Sequence, residues 1–182
     1  KRDWSSDVCS SDLASGKPQG EARGDFMIGA DGIHSAVRAR FYPDEGPAKW
    51  NGAIIYRAVT ETAPFLSGTS QFMAGGEQTV IGYPISKPRN GRVITNWAAR
   101  FFVDQSKGFA KEDWNRRAEK SAFLPRYEAW TFDWLDIPAL IRDALAVWEF
   151  PMVDRDPLPR WTFGRTTLLG DAAHPMYPLG SN

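Results

Sequence analysis

Two apolar runs, one near each end of the chain, each break into a turn carrying glycine and aspartate. They are "DFMIGADGIHSAVR" from Asp25 to Arg38 and "TTLLGDAAHPMYPLG" from Thr166 to Gly180. A short apolar run closed by turn residues is the pattern of a buried strand feeding a loop. What lies between them is mostly strand-like, so the chain is constrained to leave a first sheet, build a second and come back. The expected class is mixed α/β, with an inserted, mostly antiparallel β-sheet region between two parts of one domain.

The composition supports a real core, with 42% hydrophobic and 13% aromatic residues in 182. Lysine plus arginine equal aspartate plus glutamate at 22 each, which gives no electrostatic ground for nucleic acid or an anionic membrane as partner. No apolar run approaches the roughly 18 residues of a membrane span, and the expected location is cytoplasmic. The single cysteine, Cys9, rules out a disulfide framework and a cysteine-rich metal site. It falls in "RDWSSDVCSSDL", Arg2 to Leu13, which reads as a translation of a common sequencing-library adapter whose codons give Asp3 to Leu13. Residues 1–13 are accordingly expected to be an assembly artefact, with the gene's own sequence beginning near Ala14.

From Ser35, "SAVRARF" predicts a short helix with Ser35 as its cap and Val37 and Phe41 on one face. Strands are expected in "GAIIYRAV", "SQFMA", "TVIGYPI" and "RVITNWAARFFV", separated by the turn sequences "GGEQ" and "KPRNG". A polar helical region is expected over Lys111 to Ala122. In "DIPALIRDALAV" the spacing predicts a second helix, with Asp136 as cap, Pro138 in the first turn, and Ile137, Leu140, Ile141, Ala144 and Leu145 on one stripe. "VDRDPLPRWTFG" reads as a proline-broken connection to a final strand at Arg165 to Leu169. The domain division expected is 14–48 and 151–182 for the first domain and 49–150 for the insertion.

The turns suggest chemistry. In the first, backbone N–H groups after Asp31 and Gly32 and a helix start could face an anion, with Ser35 offering a hydroxyl and Arg38 positive charge. In the second, Asp171 follows Gly170 at the carboxyl end of a strand, where α/β sheets bind ligands. Ala172 and Ala173 would leave room for a bulky group, and Pro178 and Gly180 would shape an unobstructed turn. His34 reads as a turn or surface residue. His174, followed by proline, suits holding a loop better than base catalysis.

Together these motifs resemble two fingerprints of the flavin-dependent aromatic hydroxylases, single-component FAD monooxygenases related to para-hydroxybenzoate and salicylate hydroxylases. The family's Asp-Gly-x-x-Ser-x-x-Arg motif matches Asp31, Gly32, Ser35 and Arg38. Its Gly-Asp motif matches Gly170 to His174, Pro178 and Gly180. The wording "HPMYPLGSN", "IIYRAVTE" and "NWAAR" is most similar to the phenazine-modifying branch.

The resemblance implies FAD as cofactor, NADH or NADPH as co-substrate, and oxygen transfer from a flavin C4a-hydroperoxide to a small aromatic or heteroaromatic ring. It implies part of a three-layer FAD-binding domain with the antiparallel β-sheet insertion as substrate domain, no protein nucleophile and no metal. Asp171 would bind the ribityl hydroxyls, with Gly170 and Ala172 beside it. Asp31, Gly32, Ser35 and Arg38 would organise the pyrophosphate region, and Pro178, Leu179 and Gly180 would border the flavin ring. Arg57, Tyr83 and Trp97 would line the substrate floor. The family's Gly-x-Gly-x-x-Gly unit is absent from this sequence, and its long helix after the Gly-Asp turn would start at about Asn182. The chain is therefore expected to be the interior of a longer enzyme. The alternatives are a related FAD-dependent reductase, halogenase or oxidase, or a fragment that does not bind FAD by itself.

Overall fold

In the computed structural model, residues 23–66, 68, 70–104, 106 and 116–177 are described. Along the chain come β1 (Met27–Gly29), α1 (Ala36–Phe41), β2 (Lys49–Thr62), β3 (Phe72–Gly75), β4 (Thr79–Pro84) and β5 (Val93–Phe102). Then follow β6 (Thr131–Phe132), β7 (Leu135–Asp136), α2 (Ile137–Arg142), β8 (Trp148–Asp154), β9 (Thr162–Phe163) and β10 (Thr166–Leu168). Single 3₁₀ turns cover Lys120–Ala122, Leu124–Tyr127 and Gly170–Ala172. The chain divides into two compact units, one of residues 1–49 and 154–182, the other of residues 50–153.

The contiguous unit is built on a five-stranded sheet in the order β3-β4-β5-β2-β8. Antiparallel ladders join β3 to β4, β4 to β5, and β5 to β2, the last running from Ala53 opposite Phe102 to Thr62 opposite Val93. Alternation along β5 decides which face is buried: Val93, Thr95, Trp97, Ala99 and Phe101 point inward, and the residues between them do not. The inward face, with Tyr56, Ala58, Phe72 and Val80, packs against Phe123, Tyr127, Ile137, Leu140, Ile141 and Val147. Tyr56 stacks on Phe123 with ring centroids 4.1 Å apart. On the opposite face, Val59, Met73, Tyr83, Ile85 and Ile94 are exposed.

Asp136 caps α2 by accepting from the Ala139 N–H at 2.8 Å, and Pro138 sits in the first turn. The helix stops at Arg142, sooner than its apolar spacing suggests. Leu145, expected on the buried stripe, is thus wholly exposed. The helical region expected over Lys111 to Ala122 is also corrected. Residues 111–115 lie outside the described set, Arg117 forms a β-bridge with Trp148, and only Lys120–Ala122 makes a turn of 3₁₀ helix.

The other unit holds a three-stranded sheet in the order β1-β10-β9. β1 and β10 are parallel, with Met27, Ile28 and Gly29 opposite Thr166, Thr167 and Leu168, while β9 and β10 form an antiparallel pair. Leu168, Ala172 and Ala173 make a small buried cluster joined by Val37 and Leu158. α1 lies hard against the end of β1: a Cβ on Gly29 would fall 2.8 Å from Val37 Cβ. Only glycine lets that strand and helix approach so closely. Phe41 stacks on Phe163 at 4.0 Å and fixes the far end of α1.

Candidate functional site

Parallel pairing of β1 and β10 sets the site. It brings the turn after Gly29 and the turn after Leu168 to the carboxyl ends of neighbouring strands, because these two residues are register partners. Asp31 leaves the first strand end and Asp171 the second, so the two sequence motifs occupy one edge of one sheet.

The first turn is closed on itself. The Asp31 carboxylate accepts from Ser35 Oγ, from the Ala36 N–H at 2.7 Å and from the Val37 N–H at 3.2 Å. Ser35 Oγ in turn accepts from the Arg38 N–H at 2.8 Å. The anion at the start of α1 is therefore the chain's own Asp31, which corrects the expectation that these amides are open to a ligand. Partial burial pushes the Asp31 carboxyl up, but the hydrogen bonds from Ser35, Val37 and Ala36 outweigh it and hold the pKa below the ordinary aspartate value. Gly32, at φ +79°, supplies the left-handed step that lets the chain turn back.

Arg38 is 1% exposed. Its Nε and Nη2 reach the Glu45 carboxylate, Nη2 also donates to Asp156 O at 3.0 Å, and Nη1 donates to Ala172 O at 3.2 Å and Ala173 O at 3.0 Å. Every guanidinium N–H thus has an acceptor within the chain. Arg38 stands as an internal tie between the two turns, with no donor left for a ligand.

The second turn is more open. Gly170 adopts φ +59° and its carbonyl accepts from the Ala173 and His174 N–H groups, each at 2.9 Å. Asp171 is exposed, and its carboxylate makes no hydrogen bond or ion pair among the described residues. Ala172 is fully buried, so its small side chain serves the packing beneath the turn rather than room for a ligand above it. His174 holds the loop twice, through its backbone N–H and through its ring against Trp161 at 4.9 Å. Tyr177 secures the end of the described segment: burial and a hydrogen bond to Asp154 raise its pKa. Pro178, Leu179 and Gly180 lie outside the described residues.

In the contiguous unit the ladder pairs Arg57 with Ala98 and Tyr83 with Asn96. Arg57 and Tyr83 both project to the exposed face, in neighbouring rows. Trp97 does not join them. It is 0% exposed on the opposite face, and its indole N–H donates to Thr60 Oγ1 at 2.9 Å, while Thr60 Oγ1 donates to Leu140 O at 2.8 Å. An alternating strand cannot present Trp97 to the side that carries Tyr83 and Asn96.

Sequence reasoning missed Glu45 and Arg155. Glu45 receives Arg38 and also Arg155 Nη1 at 3.3 Å, and Arg155 Nε donates to Ile33 O at 2.8 Å. In the sequence Glu45 follows Asp44 and Arg155 lies between Asp154 and Asp156, each beside a proline-containing turn, and nothing local separates them from solvated side chains.

The two turns stand at the carboxyl ends of adjacent parallel strands, where α/β sheets bind their ligands. The chain belongs to the family described as FAD binding domain, whose family model matches residues 10–182. It is 42% identical over 161 residues to phenazine 1,6-dicarboxylic acid hydroxylase PhzS of Lysobacter antibioticus, covering 86% of this chain and 39% of that protein. With 3-hydroxybenzoate 6-hydroxylase 2 of Aquipseudomonas alcaligenes it shares 30% identity over 161 residues, covering 84% of this chain and 45% of the relative. Among solved structures, Klebsiella pneumoniae HpxO complexed with FAD and uric acid shares the fold at a TM-score of 0.69 and 23% identity, over 98% of this chain and 42% of that one. The chain therefore spans less than half the length of these relatives.

The residues fit the cofactor of that family. Asp171 is a solvent-facing acceptor with no partner among the described residues, suited to sugar-type hydroxyls, and Gly170 beside it carries no Cβ that would obstruct an approaching group.

Proposed function

We propose that the protein containing this chain is an FAD-dependent monooxygenase that hydroxylates a small aromatic or heteroaromatic ring with O₂ and NADH or NADPH. The observation that carries this reading is the parallel pairing of β1 with β10, which brings the exposed Asp171 and the Asp31 turn to neighbouring strand ends. When bound, FAD supplies the redox chemistry and the activation of oxygen, so no protein nucleophile is required. The chain's own residues bind and orient. Asp171 would accept hydrogen bonds from the ribityl hydroxyls, Gly170 would give them access, and Asp31, Ser35 and Arg38 fix the shape of the two turns. Pro178, Leu179 and Gly180, outside the described residues, would border the flavin ring. Arg57 and Tyr83 on the exposed sheet face contribute the cationic and aromatic contacts that an aromatic acid or a polar heteroaromatic ring would use. The heteroaromatic reading is favoured by the 42% identity to the Lysobacter hydroxylase, whose name states a phenazine dicarboxylic acid.

The test is a chimaera in which residues 23–177 replace the matching region of that hydroxylase. A folded yellow protein that consumes NAD(P)H and O₂ and yields a hydroxylated phenazine or benzoate is the expected outcome. A folded chimaera that stays colourless with added FAD would falsify the cofactor assignment. A yellow one that reduces or halogenates its substrate would overturn the hydroxylase reading alone.

A further inference from the structure

The two turns are joined by more than strand pairing. Glu45 lies in the loop between α1 and β2, outside both motifs, and its carboxylate is shared by two arginines, each of which reaches a different turn. Arg38 binds Glu45 through Nε at 2.7 Å and through Nη2, and passes its Nη1 to Ala172 O and Ala173 O in the second turn. Arg155 binds Glu45 through Nη1 at 3.3 Å, also holds Gly46 O at 2.8 Å, and passes its Nε to Ile33 O in the first turn at 2.8 Å. The side chains of Arg38, Arg155 and Glu45 are only 2%, 13% and 17% exposed.

We propose that Glu45 is a positioning residue that couples the two turns, so that ordering either one at the cofactor orders the other. The inference rests on the reading that these turns hold FAD. Its physical basis is the cost of a buried charge without a partner: an arginine deprived of its carboxylate takes on water or moves, and releases the carbonyl at its other end. Charge-assisted hydrogen bonds in a poorly solvated setting are also the strongest and most directional available to the chain. The hydrogen bond from Arg38 holds the Glu45 carboxyl below its ordinary value against the opposing effect of burial, and the charges of Arg38 and Arg155 add to that, so the carboxylate is charged at neutral pH.

Hydrogen–deuterium exchange on the whole chain, and on the chimaera with and without FAD, tests the coupling. In Glu45→Gln the amides of Ala36 and Val37 and those of Ala173 and His174 should all exchange faster, by about tenfold, with a matching loss of FAD affinity. Glu45→Asp should restore much of the protection. Arg155→Met should loosen the Ala36 and Val37 amides well beyond those of Ala173 and His174, because it removes the branch to Ile33 O and leaves Arg38 on Glu45, Ala172 O and Ala173 O. The β4–β5 amides serve as the internal reference for a general loss of folding. Unchanged exchange in Glu45→Gln would overturn the proposal, and so would equal loosening of both turns in Arg155→Met. If FAD leaves the exchange of the folded chimaera unaltered at every concentration, the cofactor reading fails, while the FAD-free comparison still decides the role of Glu45.

Discussion

The aspartates of the two turns occupy contrasting surroundings and should respond oppositely to substitution. Asp171 has no partner among the described residues, so Asp171→Ala should leave thermal stability within about 0.5 kcal/mol. In the FAD-binding chimaera it should weaken flavin binding by about 1.5–3 kcal/mol, the worth of hydrogen bonds to a charged acceptor, read by flavin fluorescence titration. Asp31 is consumed by capping. Asp31→Ala should therefore destabilise by about 1 kcal/mol. Its pKa, like that of Glu45, is lower in the folded chain than in the unfolded one, so the unfolded chain takes up the proton first. Their stabilisation is complete at neutral pH and is lost as pH falls below about 4. Acid unfolding followed by circular dichroism should show a shallower acid limb in Asp31→Asn than in the unmutated chain.

Among elements, those whose local signals agree with their tertiary setting were legible. α1 starts after Ser35 and α2 after Asp136, because a capping side chain acts within its own turn and needs no distant partner. The strands from β2 to β5 were legible for a similar reason, since alternation along one segment already states which side is buried. β8 was not, because "WEFPMVD" buries Glu149, Pro151, Met152 and Val153 without regular alternation. The true end of α2 escaped too, as a helix stops where its packing stops, and Ala144 is buried without continuing the helix to Leu145. Trp97 illustrates the limit for site residues: an aromatic in a strand shows that it sits on some face, and only the register shows which. Its link through Thr60 to Leu140 ties β5, β2 and α2 together. Thr60→Val should leave a buried indole N–H and a buried carbonyl unpaired, at a cost of about 2 kcal/mol or more, measurable by urea denaturation as a lower midpoint with unchanged slope.

At the scale of the molecule, one unit is contiguous and the other is assembled from two distant stretches of chain. Contacts close in sequence form sooner than contacts that must close a long loop. Pulsed hydrogen exchange during refolding should therefore find the β3, β4 and β5 amides protected before those of Met27–Gly29 and Thr166–Leu168. Simultaneous protection would mean that the parallel pair forms with the nucleus. The strand that carries the chain away from the first unit, β2, and the strand that brings it back, β8, are direct neighbours in the larger sheet. Departure and return thus pass through a single doorway about one inter-strand spacing wide, roughly 5 Å. Whatever is built beyond that doorway can lengthen, shorten or be exchanged as a cassette, provided its two ends emerge side by side.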